Sequence, residues 1–207
     1  MREFPRALIA TDYMYEHIRW HGDEPFVNIL NVCPDLEPRT LVLNGVSKAY
    51  SMTGWRIGYA GGPEPIIKAM KKIQSQSTSN PTSISQVAAQ AALEGSQECV
   101  QEMVTAFKER HDLVVEALNA MPGVECLTTD GTFYVFPKVQ ELIDGLPRVN
   151  NDLELAEHLI EQAGVAVVPG SAFGLQGCMR ISIATSRDNL EQAMERLTTV
   201  AALAQEG

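Results

Sequence analysis

The chain has few basic residues for its length. Its 207 residues include 16 Lys and Arg against 26 Asp and Glu, which gives a formal net charge of -10 at pH 7. An acidic surface is repelled by phosphate backbones and anionic lipids, so this balance argues against nucleic acid or a membrane as the main partner. A local basic pocket is still compatible with the composition.

Cysteine is scarce and dispersed. The chain has four, at Cys33, Cys99, Cys126 and Cys178, and no two of them are close in sequence. Structural zinc sites and disulfide frameworks need closely spaced or systematically paired cysteines, so the sequence predicts neither. The pattern favours a reducing, cytoplasmic setting.

Long apolar runs are also missing. No segment approaches the length of a membrane span, and the opening residues "MREFPRALIATD" lack the apolar centre of a signal peptide. We therefore expect a protein that is neither embedded in a membrane nor exported. The run "RALIATD" has the pattern of a strand inside a sheet after only a few residues, and from this we expect the chain to be the C-terminal part of something longer.

What is present is an alternation of strand and helix patterns. The runs "ALIATD", "TLVLNGVS" and "RIGYAGG" predict buried strands, and "PEPIIKAMKKIQSQ" and "ISQVAAQAALEG" predict helices around the polar loop "SQSTSNPTS". The long segment "ECVQEMVTAFKERHDLVVEALNAM" predicts a helix that ends at "PG". This first part indicates an α/β fold with a mostly parallel sheet.

The remainder predicts a smaller α+β unit. "VECLTTDGTFYVFPKV" reads as two strands around a turn at Asp130 and Gly131, followed by a helix capped by Asn151. "VAVVPGSAFG" and "CMRISIAT" are predicted strands, and Ser186 caps a final helix. We accordingly expect a large-domain portion over 1–100, a bridging helix over 101–120 and a small C-terminal domain over 121–207.

The segment "NGVSKAYSMTGWRIGYAGGP" raises the possibility of chemistry at Lys48. Most lysines are solvated surface cations, but one next to a buried strand end can become nucleophilic when burial and nearby cations lower its pKa. Here Gly54 and Gly58 permit close backbone approach, Ser47 adds a hydroxyl, and Arg56 offers a planar fork suited to a phosphate.

The motif "SKAYSMTGWRIGY" resembles the cofactor-lysine motif of class I/II aminotransferases, which are fold-type I enzymes that use pyridoxal 5'-phosphate, and it is most similar to the bacterial aspartate aminotransferase subgroup. The resemblance runs through "TDYMYEHIRW", "DGTFYVFP", "GVAVVPGSAFG" and "RISIATS". It implies that the chain is the C-terminal part of the large cofactor domain plus a small α+β domain.

The resemblance implies a role for each motif residue near the lysine. Lys48 would bind the cofactor covalently and later move a proton between the substrate carbon and the cofactor. Arg56 would bind the cofactor phosphate, and Ser47 could supply part of the hydroxyl contribution. Many relatives have a serine three residues before the lysine, where this chain has Gly45.

Two further motifs gain a role from the resemblance. Asp12 would hold the pyridine nitrogen protonated, and Tyr15 would hydrogen-bond the ring oxygen; without the resemblance, a helix-capping Asp12 and a core Tyr15 would be the simpler reading. Arg180 lies between apolar neighbours on a predicted strand, where its charge is costly to bury unless an anion pairs with it. The resemblance makes it the clamp on the substrate α-carboxylate, and a strand-edge arginine reaching solvent is the alternative.

A metal site is not expected. His17 and His21 lie four residues apart, but no third ligand follows at a suitable spacing, so we interpret them as surface or packing residues. The family pattern further implies an absent N-terminal half that carries a phosphate loop, a ring-stacking aromatic residue and an Asn beside the ring oxygen.

The predicted function is amino-group transfer between an amino acid, with aspartate preferred, and a 2-oxo acid. The resemblance implies a homodimer in full-length members of the family. Aromatic, prephenate or alanine transamination, or a lyase on the same fold, stays open. So does a noncatalytic binding module of this fold, which the missing cofactor contacts would favour. We expect the chain alone to be poorly active.

Overall fold

A computed structural model describes residues 4–22 and 24–205 of the chain. The chain divides into two compact units, Met1–Met103 and Val104–Gly207, and the division falls inside the longest helix, α4 (Glu98–Asn119). Each unit has its own three-stranded sheet in the described residues. The α/β fold class predicted from the sequence is confirmed.

The first unit is built around strands β1 (Ile9–Asp12), β2 (Thr40–Gly45) and β3 (Gly58–Gly61), in that spatial order. β1 and β2 are parallel, whereas β2 and β3 are antiparallel. The connection from β1 to β2 contains the short helix α1 (Ile29–Val32) and is long enough for the crossover that a parallel pair needs. The connection from β2 to β3 covers only residues 46–57, so β3 returns antiparallel to β2.

Two helices follow β3 in the first unit. α2 (Glu64–Ser77) begins with Pro65 in its first turn, where the missing N–H of proline costs no helical hydrogen bond. α3 is Ser83–Glu94. α2 has no buried residue, and α3 buries only Ser85 and Ala89. Within the described part of this unit, these helices therefore leave most of their apolar side chains exposed.

The second unit contains β4 (Tyr134–Val135), α5 (Gln140–Gly145), α6 (Asp152–His158), β5 (Val168–Pro169), β6 (Met179–Ser182) and α7 (Arg187–Leu203). The sheet order is β4-β6-β5, with both pairings antiparallel. The predicted helix caps are confirmed, because Asn151 Oδ1 accepts from Glu154 N–H at 2.9 Å and Ser186 Oγ from Asn189 N–H at 3.2 Å.

The core of the second unit is apolar and closely packed. Its α7 stripe repeats at helical spacing, with Leu190, Met194, Leu197 and Ala201 all at most 4% exposed. Burial of an aliphatic side chain of this size is worth about 1.5–3 kcal/mol, so the stripe anchors α7. None of the helices in the described ranges has the length and hydropathy to cross a membrane.

Two predicted strands take another form. Of "VAVVPGSAFG" only Val168–Pro169 is a strand, and Gly170–Phe173 is a 3-10 helix. The segment after residue 124 was expected to be the first of two strands, but it makes only an isolated bridge between Glu125 and Lys138. Its backbone instead bonds to side chains of α4. Asn119 Nδ2 donates to Cys126 O at 2.9 Å and Asn119 Oδ1 accepts from Cys126 N–H at 2.8 Å, while His111 Nε2 accepts from Thr129 N–H at 3.1 Å.

Candidate active site

The predicted cofactor residues of the first unit meet at one end of its sheet. Asp12 is the last residue of β1 and is paired with Leu43 of the parallel strand β2. The carboxyl ends of parallel neighbours lie at the same edge, so Asp12 and the segment that follows β2 lie on that edge. Residues 46–57, named here the lysine loop, leave from this edge and return to it at Gly58.

Lys48 lies in the turn that begins the lysine loop. It is half-buried, and two well-packed neighbours, Val46 at 1% exposed and Ala49 at 2%, anchor its backbone. Lys48 Nζ is 6.0 Å from the centre of the Tyr15 ring, at the limit of a cation–π contact. The structure therefore brings together two of the residues that the sequence analysis singled out.

The base of the lysine loop is a pair of glycines. Gly45 and Gly58 face each other across β2 and β3, and a Cβ on Gly45 would lie 3.2 Å from Gly58 Cα and 3.1 Å from Met14 Cε. Such a contact is tighter than ordinary packing. The position where many relatives carry serine is therefore closely packed in this chain.

Arg56 lies on the returning side of the lysine loop. It follows the 3-10 helix Thr53–Trp55 and has left-handed backbone angles, with φ 52° and ψ 48°. Ser51 of the same loop also has a positive φ, 54°. Non-glycine residues in this region are strained and cluster at functional sites. The Arg56 side chain is exposed, and its Nη1 donates to Thr53 O at 2.9 Å.

Asp12 caps no helix, because the residues after β1 form turns. Asp12 Oδ1 accepts a hydrogen bond from Met14 N–H at 2.9 Å, which turns the chain after β1. The carboxylate is exposed, and no cation in the described part of the first unit forms a salt bridge with it. Oδ2 therefore has no ion-pair partner there and can accept a further donor.

A polar contact at this sheet edge was not predicted from the sequence. Asn44 is 8% exposed, and its Nδ2 donates to Glu16 Oε1 at 2.5 Å while its Oδ1 accepts from Gly45 N–H at 2.7 Å. Burial, followed by the negative charge of Glu16, raises the pKa of Tyr59 above its ordinary value. Polar residues directly beside Tyr15 and Gly45 were the available signal.

Arg180 lies on β6, the central strand of the second sheet. It is half-buried, so the alternative of a strand-edge arginine is wrong. The guanidinium carbon is 4.4 Å from the ring centres of both Tyr134 and Phe173. We call this arrangement of Tyr134, Arg180 and Phe173 the aromatic clamp. No carboxylate in the described part of the second unit forms a salt bridge with Arg180.

The clamp holds the guanidinium carbon over two ring faces, and no salt bridge within the described part of the second unit occupies its N–H donors. Planar stacking on aromatic rings is a property that arginine has and lysine lacks. Phe136 packs edge-on against Phe173, with ring centres 6.0 Å apart. Tyr134 pairs with Ser182, and since Ser182 is two residues after Arg180, Tyr134 lies on the same sheet face as Arg180. This register is a property of the folded sheet, and no local pattern in the sequence signals it.

The two N-terminal histidines carry no metal site. His17 Nε2 lies 3.3 Å from Glu16 Oε1, and the His17 side chain is 48% exposed. Across residues 4–22 and 24–205, no group of three or more His, Cys, Asp or Glu side chains is arranged to hold a metal ion.

Known proteins resemble this chain along nearly its whole length. The family model for aminotransferase class I and II matches residues 2–197. This chain belongs to that family. An aspartate/prephenate aminotransferase of Nitrosomonas europaea is 55% identical over 205 residues, which are 97% of this chain and 51% of the relative, and an aspartate aminotransferase of Rhizobium meliloti is 49% identical over 93% of this chain.

Solved aminotransferase structures have a similar fold. The crystal structure of a Rhizobium meliloti aspartate aminotransferase superposes with a TM-score of 0.90 at 46% identity, over 97% of this chain and 51% of that one. An aromatic aminotransferase of Pyrococcus horikoshii gives 0.84 at 36% identity, over 93% of this chain and 50% of that one. The chain spans about half the length of the relatives it matches. The family's enzymes depend on pyridoxal phosphate.

Proposed function

We propose that this chain carries the lysine-bearing part of a pyridoxal-phosphate-dependent aminotransferase. The observation that supports this most directly is the arrangement at the sheet edge, where Lys48 follows β2, Asp12 ends β1 and the Tyr15 ring lies 6.0 Å from Lys48 Nζ. The reaction moves an amino group between an amino acid and a 2-oxo acid. It is tested by the absorbance of the chain, joined to the N-terminal half of a close relative, with added pyridoxal phosphate and then with amino acid. A bound cofactor that does not respond to amino acid in this joined protein would favour the noncatalytic module.

The donor set at this edge fits the cofactor chemically. Pyridoxal phosphate presents a phosphate dianion, an aldehyde, a ring oxygen and a ring nitrogen. Arg56 supplies an exposed guanidinium, which forms no salt bridge within the described residues of the first unit, for the phosphate, with the Ser47 hydroxyl nearby in sequence. Lys48 supplies the amine, Tyr15 a phenol, and Asp12 an exposed carboxylate without an ion partner in that unit.

Each residue would then have one task. Asp12 would keep the ring nitrogen protonated, Tyr15 would hydrogen-bond the ring oxygen, Arg56 and Ser47 would hold the phosphate, and Lys48 would hold the cofactor covalently. When bound, the cofactor would supply an electron sink that stabilises negative charge at the substrate α-carbon. The Lys48 amine would also act at Nζ as the base that takes the proton from that carbon.

Arg180 would bind the α-carboxylate of the substrate. Its guanidinium is fixed between the rings of Tyr134 and Phe173, so little side-chain freedom is lost when an anion binds. A forked arginine matches a carboxylate with two parallel hydrogen bonds. Rigid placement matters because misplacement of a substrate by about 1 Å can reduce a rate by on the order of a hundredfold.

Aspartate is the proposed amino donor, with prephenate as a second substrate. The first of these rests on the several relatives named aspartate aminotransferase, and the second on relatives named aspartate/prephenate aminotransferase. The preference for aspartate as the amino donor is tested by the ratio of kcat/KM for aspartate to kcat/KM for an aromatic amino acid, measured in an enzyme of full family length. A higher kcat/KM for the aromatic amino acid would overturn this preference.

The half-length of the chain affects its expected activity. We propose that it corresponds to the C-terminal half of the relatives, with the large-domain portion at 1–100, the bridging helix at 101–120 and the small domain at 121–207, and that the full-length protein is a cytoplasmic homodimer. The first unit exposes large apolar side chains, among them Leu8, Val32, Ile73, Ile84 and Val87 at 66–71%. Exposure on this scale favours association with a covering surface.

Complementation tests the proposal for the missing half. The purified chain is assayed with aspartate and 2-oxoglutarate, alone and with a separately produced N-terminal segment of the Nitrosomonas europaea relative. We expect little activity alone and a gain on mixing. Full activity from the chain alone would show that its own residues suffice.

A further inference from the structure

A buried carboxylate in the second unit has no task in the proposed chemistry. Asp152 is the first residue of α6 and is 2% exposed. Acidic residues in the first turn commonly stabilise a helix through its dipole, and this would be the simple explanation. However, the helix already has its cap at Asn151, and the hydrogen bond of Asp152 goes elsewhere. Its Oδ2 accepts from Ser171 N–H at 2.5 Å, across 19 residues of chain.

Ser171 belongs to the 3-10 helix Gly170–Phe173, which connects β5 towards β6. The start of this helix is tightly held, since Gly170 N–H donates to Cys178 O at 2.8 Å and a Cβ on Gly170 would lie 2.3 Å from Leu175 O. Phe173 is at its other end, two residues beyond Ser171. The Asp152 carboxylate therefore bonds to the middle of the segment that carries one ring of the aromatic clamp.

The charge of Asp152 is also close to the strand that carries Arg180. Burial raises the pKa of the Cys178 thiol, and the negative charge of Asp152 raises it further. Cys178 is two residues before Arg180, next to the first residue of β6. A buried carboxylate is costly unless it accepts strong hydrogen bonds, so removing this one affects the segment it holds.

We propose that Asp152 is a positioning residue for the anion site at Arg180: it holds the Gly170–Phe173 helix through Ser171 N–H and thereby holds the Phe173 ring against the guanidinium. The effect of Asp152 on substrate binding rests on the proposed function, in which Arg180 binds the substrate carboxylate. The physical coupling from Asp152 to Arg180 holds whether or not the full-length protein is an aminotransferase, and it can be measured on the chain itself.

The test is a proton–nitrogen spectrum of the chain with ¹⁵N-labelled arginine. A guanidinium between two rings experiences ring currents, so the Arg180 Nε–H proton is expected upfield of the exposed arginines, and Arg180→Lys assigns it by its disappearance. Phe173→Leu gives the shift of an open clamp. We expect Asp152→Ala to move the signal at least halfway to the Phe173→Leu value, and Asp152→Asn, which keeps an acceptor oxygen, to move it less. Glu157→Ala, an exposed change on the same helix, leaves it unchanged.

A second measurement covers the case in which Asp152→Ala does not fold. In the near-isosteric Asp152→Asn, loss of the charge-assisted bond should speed hydrogen exchange at the Ser171 amide by about tenfold relative to Leu190 in α7. Either of two results would overturn the proposal. The first is an Arg180 signal that moves no further in Asp152→Ala than in Glu157→Ala. The second is hydrogen exchange at the Ser171 amide of Asp152→Asn within twofold of wild type. If the coupling holds while Arg180→Lys leaves amino acid use intact in the full-length enzyme, the proposed role of Arg180 as the carboxylate clamp fails and the positioning by Asp152 does not.

Discussion

Replacement of Arg180 by lysine separates a substrate clamp from a structural arginine. Lysine keeps the positive charge but loses the second hydrogen bond of the fork and the planar stack between two rings whose centres are 4.4 Å from the guanidinium carbon. A charge-assisted hydrogen bond is worth about 1.5–3 kcal/mol, whereas the ring contacts are already made without substrate and so largely cancel in kcat/KM. We therefore expect a loss on the order of 1.5–3 kcal/mol in transition-state binding, or roughly 10- to 150-fold in kcat/KM.

The assay uses this chain joined to the N-terminal half of a close relative. Arg180→Lys should lower kcat/KM for aspartate over that range, while the dissociation constant of pyridoxal phosphate changes by no more than about threefold, because Arg180 has no proposed cofactor contact. Arg187→Lys is the matched control, since Arg187 is exposed and its ion pair among the described residues is with Glu191 along α7, at 2.7 Å. An equal loss of cofactor and substrate binding in Arg180→Lys would refute the clamp and indicate a structural arginine.

Three further predictions concern stability, each measured by urea unfolding of the chain. Gly45→Ser should lower the free energy of unfolding by about 1–3 kcal/mol, because its Cβ would lie 3.2 Å from Gly58 Cα; an unchanged midpoint contradicts this. Tyr13→Phe should be neutral or stabilising by up to about 1 kcal/mol, since the buried Tyr13 hydroxyl has no hydrogen-bond partner among the described residues, and a clear loss would reveal one. The pKa of Asp112 is lowered from its ordinary value of 3.8, mainly by the hydrogen bond from Lys108. The contribution of Asp112 to the free energy of unfolding is therefore fully present above pH 3.8 and is lost as the pH falls through the pKa of the folded state. Because Asp112 is 55% exposed, Asp112→Asn should cost less than about 1 kcal/mol at neutral pH and nothing in strong acid, and a cost that persists in acid would contradict this assignment.

The regular elements could be predicted because their signals are local. α7 carries its apolar stripe and its Ser186 cap within the segment itself, and β2 is a short β-branched and apolar run that ends at Gly45. The segment after residue 124 could not be assigned in this way. Its backbone partners are the side chains of Asn119 and His111 on α4, and nothing in the segment's own pattern distinguishes those partners from a neighbouring strand.

The residues of the candidate site fall into the same two groups, those with a local sequence signal and those that only the fold brings together. Lys48 and Arg56 lie within one contiguous motif, so their common location on the lysine loop follows from the sequence alone. The aromatic clamp brings Tyr134 of β4 and Phe173 of the 3-10 helix after β5 to Arg180 of β6, and the proposed positioning residue Asp152 lies on the helix α6. Such contacts depend on tertiary structure, and a scan for short motifs does not detect them.

The covalent attachment point of the cofactor tests the central claim most directly. The chain is incubated with pyridoxal phosphate, reduced with borohydride, digested and mapped by mass spectrometry, with Lys48→Ala as the control. We expect one labelled peptide, modified at Lys48, and loss of the label in Lys48→Ala. Label concentrated on Lys68, Lys71 or Lys72 of α2, or spread equally over all lysines and unchanged in Lys48→Ala, would contradict the account.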